Sequence, residues 1–290
     1  MHETIVKGIL SSTHGMNLYR GCTHGCIYCD ARSRCYQMNH DFEDIEVKKN
    51  AIELLENTLR RKKQRFMIGT GAMCDPYIPI EEQLQYTKKS LELIKAYGFG
   101  VSILTKSNRI LRDLDILKKI NEKTKCVVQM TLTTYDENLC KILEPNVSTT
   151  KERVEVLKIM RDEGIKTIVW LCPILPFIND TVENIEGILS YCIEANVHGI
   201  LAFSIGMTLR EGNREYFYEK LDQHFPGMKK RYIETYGNSY ELLSPNHKEL
   251  MKILKKACDA HQMLFGAQAC FSYLHEFKEK GGYEQIVLDV

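Results

Sequence analysis

The stretch Asn17-Leu18-Tyr19-Arg20-Gly21-Cys22-Thr23-His24-Gly25-Cys26-Ile27-Tyr28-Cys29 puts three cysteines within eight residues, spaced C-x3-C-x2-C with an aromatic before the third. Thiolates at this spacing can wrap a loop round one metal centre. Gly21 and Gly25 allow the tight turns and close backbone approach such a loop needs. Iron–sulfur cubanes usually take four cysteines. With three, one iron stays open to an outside ligand, and that open position separates a reactive cluster from a closed electron carrier. The competing reading is a structural zinc site, which requires a fourth ligand; Cys35 or His24 could supply it. Zinc knuckles usually present paired C-x2-C hooks. This triad instead follows the first strand-like run of an α/β array, where ligands and catalytic groups sit at the C-terminal ends of strands.

Outward from that loop, short β-branched runs alternate with longer amphipathic ones. The pattern predicts strands over 16–21, 66–69, 100–105, 126–133, 167–172 and 199–205, and helices over 47–61, 82–97, 110–121, 151–163 and 182–195. Repeated strand–helix alternation argues for a parallel sheet in an α/β fold. Six units are too few for a closed eight-stranded barrel, so the expected architecture is a partial (β/α)6 TIM-type barrel over residues 1–210. Beyond Arg210 the alternation stops. Helices are expected over 214–223 and 246–261, and residues 211–290 read as a helical extension packed on the barrel. Within it, 228–240, which mixes basic residues with tyrosines, and 266–275 are the candidates for a substrate-lining wall.

Composition narrows the function classes. The chain has 290 residues, 44% hydrophobic and 27% charged, with 39 basic against 38 acidic side chains and a formal net charge of +1. That is an ordinary globular composition, unlike a disordered chain. Near-neutrality excludes a global electrostatic pull on nucleic acid or acidic membranes, while the basic runs 60–65 and 229–231 leave local phosphate contacts open. No apolar run reaches the ~20 residues needed to span a bilayer. The start lacks the pattern of a secretory signal, and the cytoplasm is the expected location. There are eleven cysteines. Of the eight outside the loop, Cys126, Cys172 and Cys192 sit in apolar runs and read as small buried hydrophobes.

With these residues in view, the sequence resembles the radical S-adenosylmethionine (SAM) superfamily, and more narrowly its spore photoproduct lyase-like branch, also called DNA repair photolyase-like. Four stretches carry the resemblance: Gly21–Arg32 around the cysteines, Cys74-Asp75-Pro76-Tyr77-Ile78-Pro79-Ile80-Glu81, Ile103-Leu104-Thr105-Lys106-Ser107, and Thr131-Leu132-Thr133-Thr134-Tyr135-Asp136 leading to Leu143-Glu144-Pro145. Each follows a predicted strand.

The resemblance implies a [4Fe–4S] cluster on Cys22, Cys26 and Cys29, with the fourth iron chelated by the amino and carboxylate groups of SAM. One electron from a donor such as flavodoxin or ferredoxin would cleave SAM to a 5′-deoxyadenosyl radical that abstracts hydrogen from a substrate. That substrate is left open between small molecule, peptide and nucleic acid. Lys106 would pair with the SAM carboxylate, Tyr28 would lie beside adenine, and Thr133 or Thr134 would reach the ribose. Asp75 either reaches the pocket or only fixes its turn. Glu144-Pro145 matches the family without a role that physics assigns. In spore photoproduct lyases a cysteine after the second strand returns hydrogen to the product radical. Here that position is Ala72, and Cys74, two residues later, is the candidate donor.

Overall fold

A computed structural model describes residues 1–280 of the chain. Its centre is a seven-stranded sheet: β1 (Gly15–Met16), β2 (Met67–Thr70), β3 (Gly100–Thr105), β4 (Cys126–Thr131), β5 (Lys166–Trp170), β6 (Gly199–Leu201) and β7 (Leu264–Phe265). Every adjacent pair is parallel and the strands lie in chain order. This is the winding of a βα barrel, with β1 and β7 left as unpaired edges among the described residues.

The strands read as nearly continuous apolar runs because both faces are covered. On β4, Cys126, Val128 and Met130 pack outward with the helices, while Val127 faces inward with Ile168, Leu201 and Met67. The outer layer comprises α1 (Ala51–Arg61), α2 (Tyr86–Tyr97), α3 (Leu114–Lys123), α4 (Thr150–Asp162) and α5 (Val182–Glu194). Local chemistry sets their ends. Thr149 and Glu152 form a capping box at the start of α4, and Gly98, at φ 70°, stops α2. A polar chain crosses the sheet interior: Trp170 Nε1 donates to Gln129 Oε1 at 2.6 Å, and Gln129 Nε2 to Ser102 Oγ at 2.8 Å. These bonds satisfy buried polar groups and fix the Trp170 ring.

Three expectations need correction. The sheet has seven strands rather than six. The seventh falls inside the supposed helical extension, which also supplies the strand Glu241–Leu243, antiparallel to Gly206–Thr208. The extension does form helices: α6 (Asn213–His224), α7 (Met228–Tyr236), α8 (His247–Ala260) and α9 (Ala267–His275). The expected strand 16–21 is divided. Gly15–Met16 joins the main sheet, whereas Tyr19–Arg20 pairs antiparallel with Glu46–Lys48, which pairs in parallel with His2–Thr4. The expected helix 82–97 breaks at Gln85, whose φ of 56° ends the turn Glu81–Leu84 before α2 begins. Among the described residues no helix is long and apolar enough to cross a membrane.

Candidate active site

The loop carrying Cys22, Cys26 and Cys29 crosses the C-terminal end of the sheet, held on two sides by backbone. Cys22 N–H donates to Phe42 O, Ile27 N–H to Leu143 O and Asn146 N–H to His24 O, all within 3.0–3.1 Å. Gly25 has φ 71°, and a Cβ there would meet Pro145 Cγ at 3.1 Å and Asn146 Nδ2 at 3.3 Å. Glu144-Pro145-Asn146 is therefore the rail along which the cysteine loop lies, and Pro145 explains why position 25 carries no side chain.

The three cysteines open onto a cavity of about 660 Å³, bounded by the residues that follow β2, β3, β5 and β6. Cys22 and Cys26 are buried and Cys29 is half-buried. Burial pushes the Cys26 and Cys29 thiols up, with the nearby Lys106 ammonium pulling the other way. Among the described residues, the sulfurs of Cys22, Cys26 and Cys29 do not all lie within 4.8 Å of one another. One tetrahedral zinc would bring its sulfurs to roughly 3.8 Å from one another, from Zn–S bonds of ~2.3 Å. Cys35, the proposed fourth zinc ligand, is exposed, with its Sγ 3.2 Å from Arg210 Nη1 and off the cavity wall. His24 does lie on the wall. Its Nε2 is buried with no hydrogen-bond partner, and its Nδ1 is 3.5 Å from Asp75 Oδ2.

Lys106 stands at the end of β3 with its Nζ 5.8 Å from the Tyr28 ring centroid. Among the described residues that ammonium has no hydrogen bond and no ion pair, and it faces the cavity. Tyr28 lies on the same wall and donates its hydroxyl to Glu144 Oε1. Glu144 Oε2 accepts from Arg153 Nη2 at 2.5 Å, and Arg153 Nη1 donates to Thr131 O at 2.7 Å. Both charged side chains are essentially inaccessible. Burial pushes the Glu144 carboxyl up, but Arg153 and Lys106 outweigh it and hold the group below the usual carboxylate value. This gives Glu144 the role that sequence alone did not. It ties the Tyr28 ring to Arg153 and, through Arg153, to the end of β4. Arg153 itself escaped notice because it sits in the first turn of an amphipathic helix, where arginines usually face solvent.

The remaining candidates divide. Asp75 lines the cavity, but its carboxylate is occupied by Tyr77 N–H, Thr105 Oγ1 and Lys106 N–H at 2.7–2.8 Å, so it braces the β2 and β3 ends against each other. Thr133 is off the cavity wall: its carbonyl accepts from Asn179 Nδ2 and Asn184 Nδ2, and its hydroxyl meets Thr134 Oγ1 at 3.5 Å. Thr131, two residues earlier, does line the cavity, with Thr105 and Thr208. Cys74 is buried on the wall, its Sγ 3.5 Å from the carbonyl of Asp75. Cys126 and Cys192 are buried as expected. Cys172 differs: it is half-buried and lines the cavity past the end of β5.

An apolar part of the lining is made by Trp170, Phe203, Met207, Tyr240 and Leu243. Of the expected wall 228–240 only Tyr240 contributes. Helix α7 instead covers a separate cluster with Tyr232 against Phe177 and Phe217. From 266–275, Phe271, Leu274 and His275 line a smaller cavity of about 260 Å³ in the sheet interior, which shares Ala72, Leu104 and Trp170 with the large one. The basic run 229–231 is largely spent on its own surroundings: Lys229 pairs with Asp222, Lys230 with Glu234, and Arg231 lies 3.9 Å over the Phe177 ring.

The chain is similar to several known proteins. An uncharacterized protein of Methanocaldococcus jannaschii is 30% identical over 232 residues, covering 79% of this chain and 78% of its own. One from Mycobacterium tuberculosis is 27% identical over 266 residues, covering 87% and 77%. A Pseudomonas phage M6 protein named radical SAM Nalpha-GlyT isomerase is 23% identical over 155 residues, 53% of this chain and 32% of its own. Among solved structures, a spore photoproduct lyase variant superposes with a TM-score of 0.65 at 14% identity, over 92% of this chain and 81% of that one. A related lyase variant was solved with bound AdoMet and dinucleoside spore photoproduct. The family model described as the radical SAM superfamily matches residues 16–192, and with the cysteine loop at the strand ends this places the chain in that superfamily, whose enzymes use a [4Fe–4S] cluster and SAM and require a reductant.

Proposed function

We propose that this radical SAM enzyme holds its [4Fe–4S] cluster on Cys22, Cys26 and Cys29 and binds SAM across the Lys106–Tyr28 wall. The supporting observation is the convergence on one cavity of three loop cysteines, an unpartnered ammonium at Lys106 and an orphaned imidazole nitrogen at His24. Lys106 neutralises and orients the SAM carboxylate by a charge-assisted bond. Tyr28, immobilised by Glu144, offers a fixed flat face for adenine. Asp75 and Thr105 keep the β3 end, and with it Lys106, in register with the loop after β2. The cofactor pair, when bound, supplies a 5′-deoxyadenosyl radical that removes a hydrogen atom from substrate. The apolar wall then receives the substrate and excludes water from that chemistry. Cys74 is the wall thiol assigned to return hydrogen to the product.

A DNA lesion as substrate has less support than the cofactor reading. The position of the lyase cysteine is Ala72, and most of the basic run 229–231 is already paired. Anaerobic incubation with SAM and dithionite tests the core proposal. Wild-type protein should be brown and release 5′-deoxyadenosine, with a flavodoxin or ferredoxin able to replace dithionite. A colourless protein that binds zinc through these thiols and cleaves no SAM would refute it.

A further inference from the structure

A second cluster of ligating side chains lies on the small three-stranded sheet, outside the cavity. Strand pairing sets His2 directly beside Glu46, and the loop before that strand brings His40 and Asp44 alongside. One ligand atom each of His2, His40 and Asp44 falls within 4.8 Å of the others. The two imidazoles meet edge to face, with centroids 4.7 Å apart.

The hydrogen bonds fix which nitrogens are free. His2 Nδ1 lies 2.8 Å from Asp44 Oδ2, and a carboxylate can only accept, so Nδ1 carries the proton. His40 Nδ1 lies 2.9 Å from the carbonyl of Asp41, which likewise can only accept. Both histidines therefore present an Nε2 lone pair when neutral. Both Nε2 atoms lie 3.9 Å from the same oxygen, Glu46 Oε2. His40 Nε2 is buried and has no hydrogen-bond partner. A histidine that donates Nδ1–H to a carboxylate or backbone carbonyl while its Nε2 faces another ligand is the arrangement usual around bound metals. Bonds of ~2.0–2.2 Å at a tetrahedral angle set neighbouring ligand atoms ~3.3–3.6 Å apart, so each nitrogen reaches an ion shared with Glu46 Oε2 after side-chain rotations of a few tenths of an ångström. An imidazole and carboxylate donor set suits zinc and its neighbours among the divalent transition metals, rather than the thiolate-seeking iron of the cluster. His2 is 40% exposed and offers an entry path, while Glu46 is 15% exposed and His40 12%.

We propose that His2, His40 and Glu46 bind one divalent transition metal, zinc by donor chemistry, with Asp44 orienting His2. The ion staples three segments behind the cysteine loop. One of them contains Phe42, whose carbonyl accepts from Cys22 N–H. The site is independent of the cofactor reading.

Reconstituted holoenzyme, with iron filling the loop thiols, is incubated with Zn(II), desalted and assayed by elemental analysis. Retention of one zinc per chain beyond the iron is expected. His2→Gln and His40→Gln should each weaken zinc binding at least ~10-fold while iron content stays at the wild-type level. Glu46→Gln should do the same and guards against a histidine variant that misfolds. Co(II) in place of zinc should give ligand-field bands without sulfur-to-cobalt charge transfer. Wild-type protein that retains no zinc, zinc retained equally by all three variants, or a strong charge-transfer band would overturn the proposal.

Discussion

The two walls of the large cavity are built in opposite ways. The wall of the cysteine loop is braced at its carboxylates and its backbone: Glu144 by Tyr28 and Arg153, Asp75 by three donors, and the loop backbone by Phe42, Leu143 and Asn146. Among the described residues, Lys106 Nζ and His24 Nε2 are left without hydrogen-bond partners there. The apolar wall exposes large surface: Phe203 is 58% exposed, Tyr240 45% and Leu243 45%. One wall is pre-organised for a ligand of fixed charge and shape. The other keeps apolar area in water, which a second ligand would cover.

The strongest way to break this contrast is to remove the three loop thiols together. Cys22→Ala/Cys26→Ala/Cys29→Ala should lose all cluster iron and all 5′-deoxyadenosine formation, read by iron and sulfide analysis and by chromatography. Retention of full cluster content would show that the braced wall is not the cofactor wall. Replacing Cys35 alone should leave the iron unchanged.

Next in size is Arg153→Met, which leaves Glu144 buried without its counter-charge. Breaking such a pair costs about 3–5 kcal/mol, measurable as a lower denaturation midpoint. The double change Glu144→Gln/Arg153→Met should recover most of that loss, because the uncompensated charge is then gone. A single variant as stable as wild type would mean that the network is not what holds this wall.

Lys106→Ala should act on binding rather than folding. The lost charge-assisted bond is worth about 1.5–3 kcal/mol, so SAM affinity should fall roughly 10- to 100-fold in titrations of reconstituted protein. The unfolding midpoint should fall far less than in Arg153→Met, since among the described residues the ammonium makes no hydrogen bond or ion pair and acts on Glu144 only through space. Unchanged affinity would remove Lys106 from the SAM site.

The smallest effect on stability is expected on the apolar wall. Phe203→Ala should change stability by within ~0.5 kcal/mol, as exposed positions usually do. Cluster content and SAM cleavage without substrate should stay at wild-type level, while substrate-dependent hydrogen transfer falls. A variant that loses its cluster would erase the division between the walls.

The alternation of apolar periods established the parallel α/β fold, because a strand buried on both faces and an amphipathic helix each write their period locally. The C-x3-C-x2-C loop established the family, since three thiolates in eight residues need no distant partner to be recognised. That Tyr28, Lys106 and Cys74 line one cavity follows from the same logic, each being next to a motif at a strand end. The rest was settled only in three dimensions. β7 is two residues long, too short to carry a period, and exists because β6 offers an open edge. The role of Glu144 required a tyrosine 116 residues away and an arginine whose helix turns it inward. Thr133 and Thr131 are both strand-end threonines in sequence, and the sheet decides which one faces the cavity. The apolar wall combines residues before and after Arg210, and the histidine cluster joins His2 to Glu46. Side chains so far apart in sequence become neighbours only when the backbone between them is fixed, and no local pattern records that.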